Sequence, residues 1–71
     1  MPRISLKAAR VNANMEQREW AENIGVSVAT VINWEKGNTE PTLSQLRKIS
    51  ELSGIPMDFI FVPEKFNLIE F

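Results

Sequence analysis

Glu16, Glu19 and Glu22 fall three residues apart, a spacing that stacks them along one face of a helix. Such a row could hold a cation or divide the work of a general acid and a general base. Nothing else in the chain assists it. The 71 residues include no histidine and no cysteine, so the commonest general base, the thiol nucleophile and the imidazole and thiolate metal ligands are all missing. A solvated helix face is the plainer reading of the three glutamates. No enzyme activity, metal, cofactor or small-molecule ligand is expected. The groups left to do chemistry are hydrogen-bonding and packing side chains between Gln17 and Gly37, which makes recognition the task to look for.

The length allows one domain. A chain this short buries about 60% of the surface that its extended form exposes, and without disulfides or zinc it depends on compact helical packing or on oligomerisation. Apolar residues make up 44% and charged residues 24%, the balance of a folded globular domain. No apolar run approaches the roughly 20 residues of a membrane span. Met1-Pro2-Arg3-Ile4 does not open a signal peptide, so a soluble cytoplasmic domain is expected. The net charge is −1. Arg3, Lys7, Arg10, Arg18 and Lys36 stand against Glu16, Glu19, Glu22 and Glu35 in the first half, and the second half is the more acidic. Nucleic-acid-binding domains are usually basic, and any such reading has to accommodate this balance.

Helix signals dominate the chain. Ser5 is the expected N-cap of a helix reaching about Ala13, with Leu6, Ala9 and Ala13 on one face. Asn14 follows, a residue that tolerates the left-handed conformation. The spacing predicts a second helix over Gln17–Ile24, with Trp20, Ala21 and Ile24 facing inward and Gly25 as its stop. Ser27 caps a third helix to about Lys36, with Val31 and Trp34 inward. Thr42 caps a fourth, whose apolar positions Leu43, Leu46, Ile49 and Leu52 step by three until Gly54. Pro56 to Phe61 is expected to form one more short helical turn, with Phe59 and Ile60 packing on the rest. The fold class is therefore all-α, a compact five-helix domain over residues 1–63. Residues 64–71 form an apolar tail.

Two helices joined by a tight turn around a glycine make a helix-turn-helix. Ala21 is small where the second helix crosses the first, Gly25 turns the chain, and Ile24, Val26, Val31 and Trp34 fill the angle. With its flanks the pattern is more specific: Leu6-Lys-x-x-Arg10, Gln17-x-Glu-Trp-Ala21, Gly25-Val-Ser27, Trp34-Glu-Lys-Gly37 and Thr39-Glu-Pro41. This set resembles the phage repressor and Cro-like helix-turn-helix family, the lambda-repressor-like DNA-binding domains, over roughly residues 4 to 61. The resemblance implies a bacterial or phage transcription regulator, a repressor that binds a double-stranded DNA operator as a homodimer in the cytoplasm, at the nucleoid. At this length the likeness is to the short Cro-like form.

The same resemblance implies which residues face DNA. The helix capped by Ser27 lies in the major groove with its N-terminal half toward base edges. Ser27, Val28, Ala29, Thr30, Ile32 and Asn33 are the candidates. Asn33 suits adenine N6 and N7, while Val28, Ala29 and Ile32 suit thymine methyl groups. An A·T-containing half-site follows. For Asn33 the bland alternative is a solvated helix residue, and for Val28 and Ile32 it is a protein-facing surface. Gln17, at the start of the second helix, matches a phosphate-binding position. Lys36, Asn38 and Thr39 could grip a second phosphate, and Arg18 is a further phosphate candidate, although for it and Lys7 a solvated side chain is the default. Arg10 and Glu35 match a structural ion pair.

Some residues depart from the family pattern. Glu16 stands where a threonine or serine usually caps the second helix, and a carboxylate there repels phosphate. The third helix carries no arginine or glutamine, so guanine readout is weak, and few cations mean a shallow salt dependence. Dimerisation would recover affinity. The tail residues Phe66, Leu68, Ile69 and Phe71 either fold back on the core or bury against a second subunit, the dimer being favoured. In a dimer the two reading helices would stand about 34 Å apart, one duplex turn. Two rival uses of the fold are a protein-contact module with weak DNA binding and an antitoxin-type regulator whose tail neutralises a partner.

Overall fold

Three of the four α-helices start where a side chain serves their unpaired N–H groups. In the computed structural model, which describes residues 4–60, Ser5 accepts from the Ala8 N–H and opens α1, Leu6–Asn12. Ser27 accepts from the Thr30 N–H and opens α3, Val28–Lys36. Thr42 and Gln45 form a reciprocal capping box at the start of α4, Leu43–Ser53. Between α1 and α3 lies α2, Gln17–Ile24, whose N-cap Glu16 makes no side-chain cap bond. Its helix N-terminus keeps orphan N–H groups that a capping side chain would have taken.

Gly25 ends α2 in the left-handed region at φ 92°, and the Gly25 and Val26 N–H groups both return to the Ala21 carbonyl. The chain therefore turns sharply enough for α3 to cross α2. The buried core is Leu6, Ala9, Trp20, Ala21, Ile24, Val31, Trp34, Leu46, Ile49 and Ile60. Ala9 and Ala21, both essentially inaccessible, are the small residues that let the helices approach.

The described residues hold four α-helices, a 3-10 turn over Met57–Phe59 and no strand, in place of five helices. The last segment stays short because Ile60 is extended (φ −96°, ψ 123°) and pairs with Ile4 in an isolated parallel bridge. The Ile4 N–H donates to the Phe59 carbonyl at 2.8 Å, and Ile60 is buried. Phe59, expected to pack inward, is 37% exposed. Leu43, at one end of the apolar row of α4, is 57% exposed. A three-residue step falls short of a 3.6-residue turn, so the row Leu43, Leu46, Ile49, Leu52 drifts across the helix and only its middle is buried. The expected boundary after residue 63 and the tail residues Phe66, Leu68, Ile69 and Phe71 lie outside the described residues.

Candidate nucleic-acid interface

Val31 and Trp34 anchor one side of α3 in the core. With 3.6 residues per turn, the opposite side of the helix carries Ala29, Asn33 and Lys36. Ala29 and Lys36 are exposed and Asn33 is half-buried, as are Thr30 and Ile32 on the flanks. Val28 sits elsewhere. It lies three residues before Val31, so it leans toward the core and packs against it.

Ser27, Thr30, Asn33 and Asn38 have side-chain partners in the free protein. Ser27 Oγ accepts from the Thr30 N–H at 3.1 Å and lies 2.9 Å from Thr30 Oγ1. Asn38 Nδ2 donates to Asn33 Oδ1 at 3.2 Å, joining a residue of the loop after α3 to one on its outer face. Thr39, in the same loop, is exposed.

Three helices meet at Glu35. Arg10 of α1 reaches it through two N–H groups, Nε to Oε2 at 2.7 Å and Nη2 to Oε1 at 3.3 Å. This is the paired geometry in which a guanidinium holds a carboxylate best. Arg10 Nη1 also donates to the Met15 carbonyl at 2.9 Å. Gln17 of α2 donates its Nε2 to Glu35 Oε1 at 3.1 Å. The two charged side chains are only 11% and 7% exposed. Among the described residues no buried side-chain nitrogen or oxygen lacks a partner. The Gln17 amide thus has one protein partner before any ligand arrives.

Beside this cluster runs an open groove of about 790 Å³, lined by Lys7, Arg10, Glu16, Gln17, Arg18, Val28 and Glu35. Arg10 and Glu35 neutralise each other, which leaves Lys7 and Arg18 against Glu16. The local balance is therefore positive although the whole chain is negative. Sequence reasoning did not bring Lys7 to this groove. The signal was its position three residues before Arg10: once Arg10 is drawn inward to Glu35, a neighbour on that helix face follows. The glutamates of the regular row, Glu16, Glu19 and Glu22, are all exposed, and no acidic cluster suited to a metal ion occurs among the described residues.

The family model described as helix-turn-helix matches residues 6–60, and the chain belongs to that family. An uncharacterised helix-turn-helix-type transcriptional regulator of Methanocaldococcus jannaschii is 37% identical over 59 residues, covering 83% of this chain and 89% of that protein. Another, from Archaeoglobus fulgidus, is 32% identical over 68 residues and covers 96% of both. The cryptic phage CTXphi transcriptional repressor RstR of Vibrio cholerae is 29% identical over 65 residues, 92% of this chain and 59% of the repressor. No solved structure is a significant match. Among the described residues no helix is long and apolar enough to cross a membrane.

Proposed function

We propose that this chain is a sequence-reading transcriptional regulator of the short Cro-like form, a repressor that binds a double-stranded operator as a homodimer in the cytoplasm. The observation that carries the reading is the exposed side of α3, with Ala29, Asn33 and Lys36 opposite a fully anchored core side, next to a groove holding Lys7 and Arg18. An α-helix fits the major groove of B-DNA, and its outward side chains then meet base edges. Asn33, Ala29, Ile32 and Thr30 are the reading residues. Ser27 sits at the rim, and Val28 touches DNA only along the edge it shares with the groove. Lys7, Arg18 and the N-terminus of α2 around Gln17 meet one stretch of backbone, and Lys36 and Thr39 another. Membership of the family supports the reading, as do three relatives named as transcriptional regulators or repressor.

Selection from a random duplex pool at low and near-physiological salt tests it, with Asn33→Ala run in parallel. The expected result is an inverted repeat with half-sites one duplex turn apart, A·T-containing, which loses one position of preference in the variant. Binding only at low salt, without enrichment and indifferent to Asn33, would sink the reading. It would turn attention to the α3 face as a protein-contact surface, the use that the net charge of −1 favours.

A further inference from the structure

Two turns of backbone geometry place Asn38 beside Asn33. Gly37 leaves α3 in the left-handed region, its N–H donating to the Trp34 carbonyl at 3.1 Å. The next N–H, that of Asn38, donates to the Asn33 carbonyl at 2.9 Å. This pair of bonds is the Schellman arrangement, which folds the chain back over the last turn of a helix. The Thr39 N–H also returns to the Asn33 carbonyl, at 3.4 Å. The loop is thus anchored on the backbone of Asn33, and the Asn38 side chain then adds its own bond, Nδ2 to Asn33 Oδ1 at 3.2 Å.

That bond has a consequence for recognition. An asparagine amide presents an acceptor end and a donor end, and rotation of its terminal bond exchanges them. With the Asn33 oxygen held by Asn38, the end left for a partner is the NH2 group. We infer that Asn38 is a positioning residue that sets the orientation of the Asn33 amide and so decides which base edge Asn33 reads. The inference rests on the DNA-reading function proposed above and assigns Asn38 a role different from a phosphate contact. A donor end favours a purine, whose N7 accepts. Adenine can also give its N6 amine to the second lone pair of Oδ1, and guanine is the second choice because it shares N7. If the amide were reversed, its oxygen would face the groove, and the second choice would become cytosine, whose N4 amine donates.

Three substitutions at Asn38 separate the possibilities. Asn38→Lys can only donate, so it keeps the Asn33 oxygen occupied. Asn38→Asp only accepts, so it draws the Asn33 NH2 inward and turns the oxygen out. Asn38→Ala releases the amide. Competition binding is measured on sites carrying each base at the position that Asn33→Ala identifies. The guanine-to-cytosine preference should persist in Asn38→Lys, fall toward one in Asn38→Ala and reverse in Asn38→Asp, a swing of roughly ten-fold. Because the charge added by Asp or Lys acts on every site alike, the ratio is insensitive to it. In the protein alone, the Asn33 side-chain amide protons should move downfield in Asn38→Asp and not in Asn38→Lys. A uniform loss of affinity with the ratio unchanged in all three variants overturns the inference and makes Asn38 a phosphate contact. If the wild type selects no site at all, the DNA-reading function itself fails and takes this inference with it.

Discussion

At Gly37 the backbone adopts φ 84°, a conformation in which a Cβ costs roughly 1–2 kcal/mol. A Cβ built there meets nothing within 4 Å, so the cost of Gly37→Ala is conformational and not a clash. A loss of about 1 kcal/mol lowers the Tm of a domain this size by roughly 4–8 °C, and a thermal melt followed by circular dichroism reads it. Gly37→Asn should lose less, because asparagine enters the left-handed region more readily than other side chains. The chain already uses it that way: Asn14 follows α1 at φ 58°, and the Met15 N–H returns to the Arg10 carbonyl. These residues are legible in a bare sequence because the conformational preference is local. The Asn33–Asn38 bond is not, since it depends on how the left-handed turn directs two side chains that are each unremarkable alone.

The Arg10–Glu35 pair joins α1 to α3, and Gln17 adds α2. Breaking such a pair from one side strands a charge with little access to water, at a cost of about 3–5 kcal/mol. Domains hold about 0.05–0.15 kcal/mol per residue in total, so Arg10→Met or Glu35→Leu alone should bring this one near unfolding. The double variant strands no charge and should recover most of the loss. Urea titrations of the wild type, both singles and the double measure this, and strictly additive losses would show that the pair is not coupled. A similar test applies to the α2–α3 crossing. Ala21 is 1% exposed, and Ala21→Leu should cost about 1–3 kcal/mol by overpacking, a figure that the same titration returns. The helices themselves are legible where their starts carry an acceptor, as Ser5, Ser27 and Thr42 do, and where the apolar spacing fits the helical period. The final turn is not, because Ile60 takes its conformation from Ile4, at the opposite end of the described chain. The exposure of Leu43 shows the limit of a three-residue count. The groove escapes sequence reasoning for the same reason as the bridge: Lys7, Arg18 and Val28 come from three helices and meet only after those helices pack.

For the whole molecule the decisive quantity is where the charge lies. A net charge of −1 gives little long-range attraction to DNA, so non-specific binding should be weak and most of the affinity should come from the fitted site. Three cations, Lys7, Arg18 and Lys36, stand on the proposed DNA side, while Arg10 is neutralised by Glu35. If each cation meets one phosphate in both subunits of a dimer, six contacts give a slope of log K against log salt of roughly −5, and a monomer gives about half of that. Fluorescence anisotropy between 50 and 200 mM salt, spanning roughly the range over which this effect is usually expressed, measures the slope directly. Arg18→Ala should flatten it by about 2 in a dimer, at one contact per subunit, and by about 1 in a monomer. Lys7→Ala should do the same if the groove lined by α1, α2 and α3 follows the DNA backbone. Because these two residues serve affinity without reading bases, the selected sequence should stay that of the wild type in both variants. An unchanged slope in both would place the phosphate contacts elsewhere and leave the groove without a role in holding DNA.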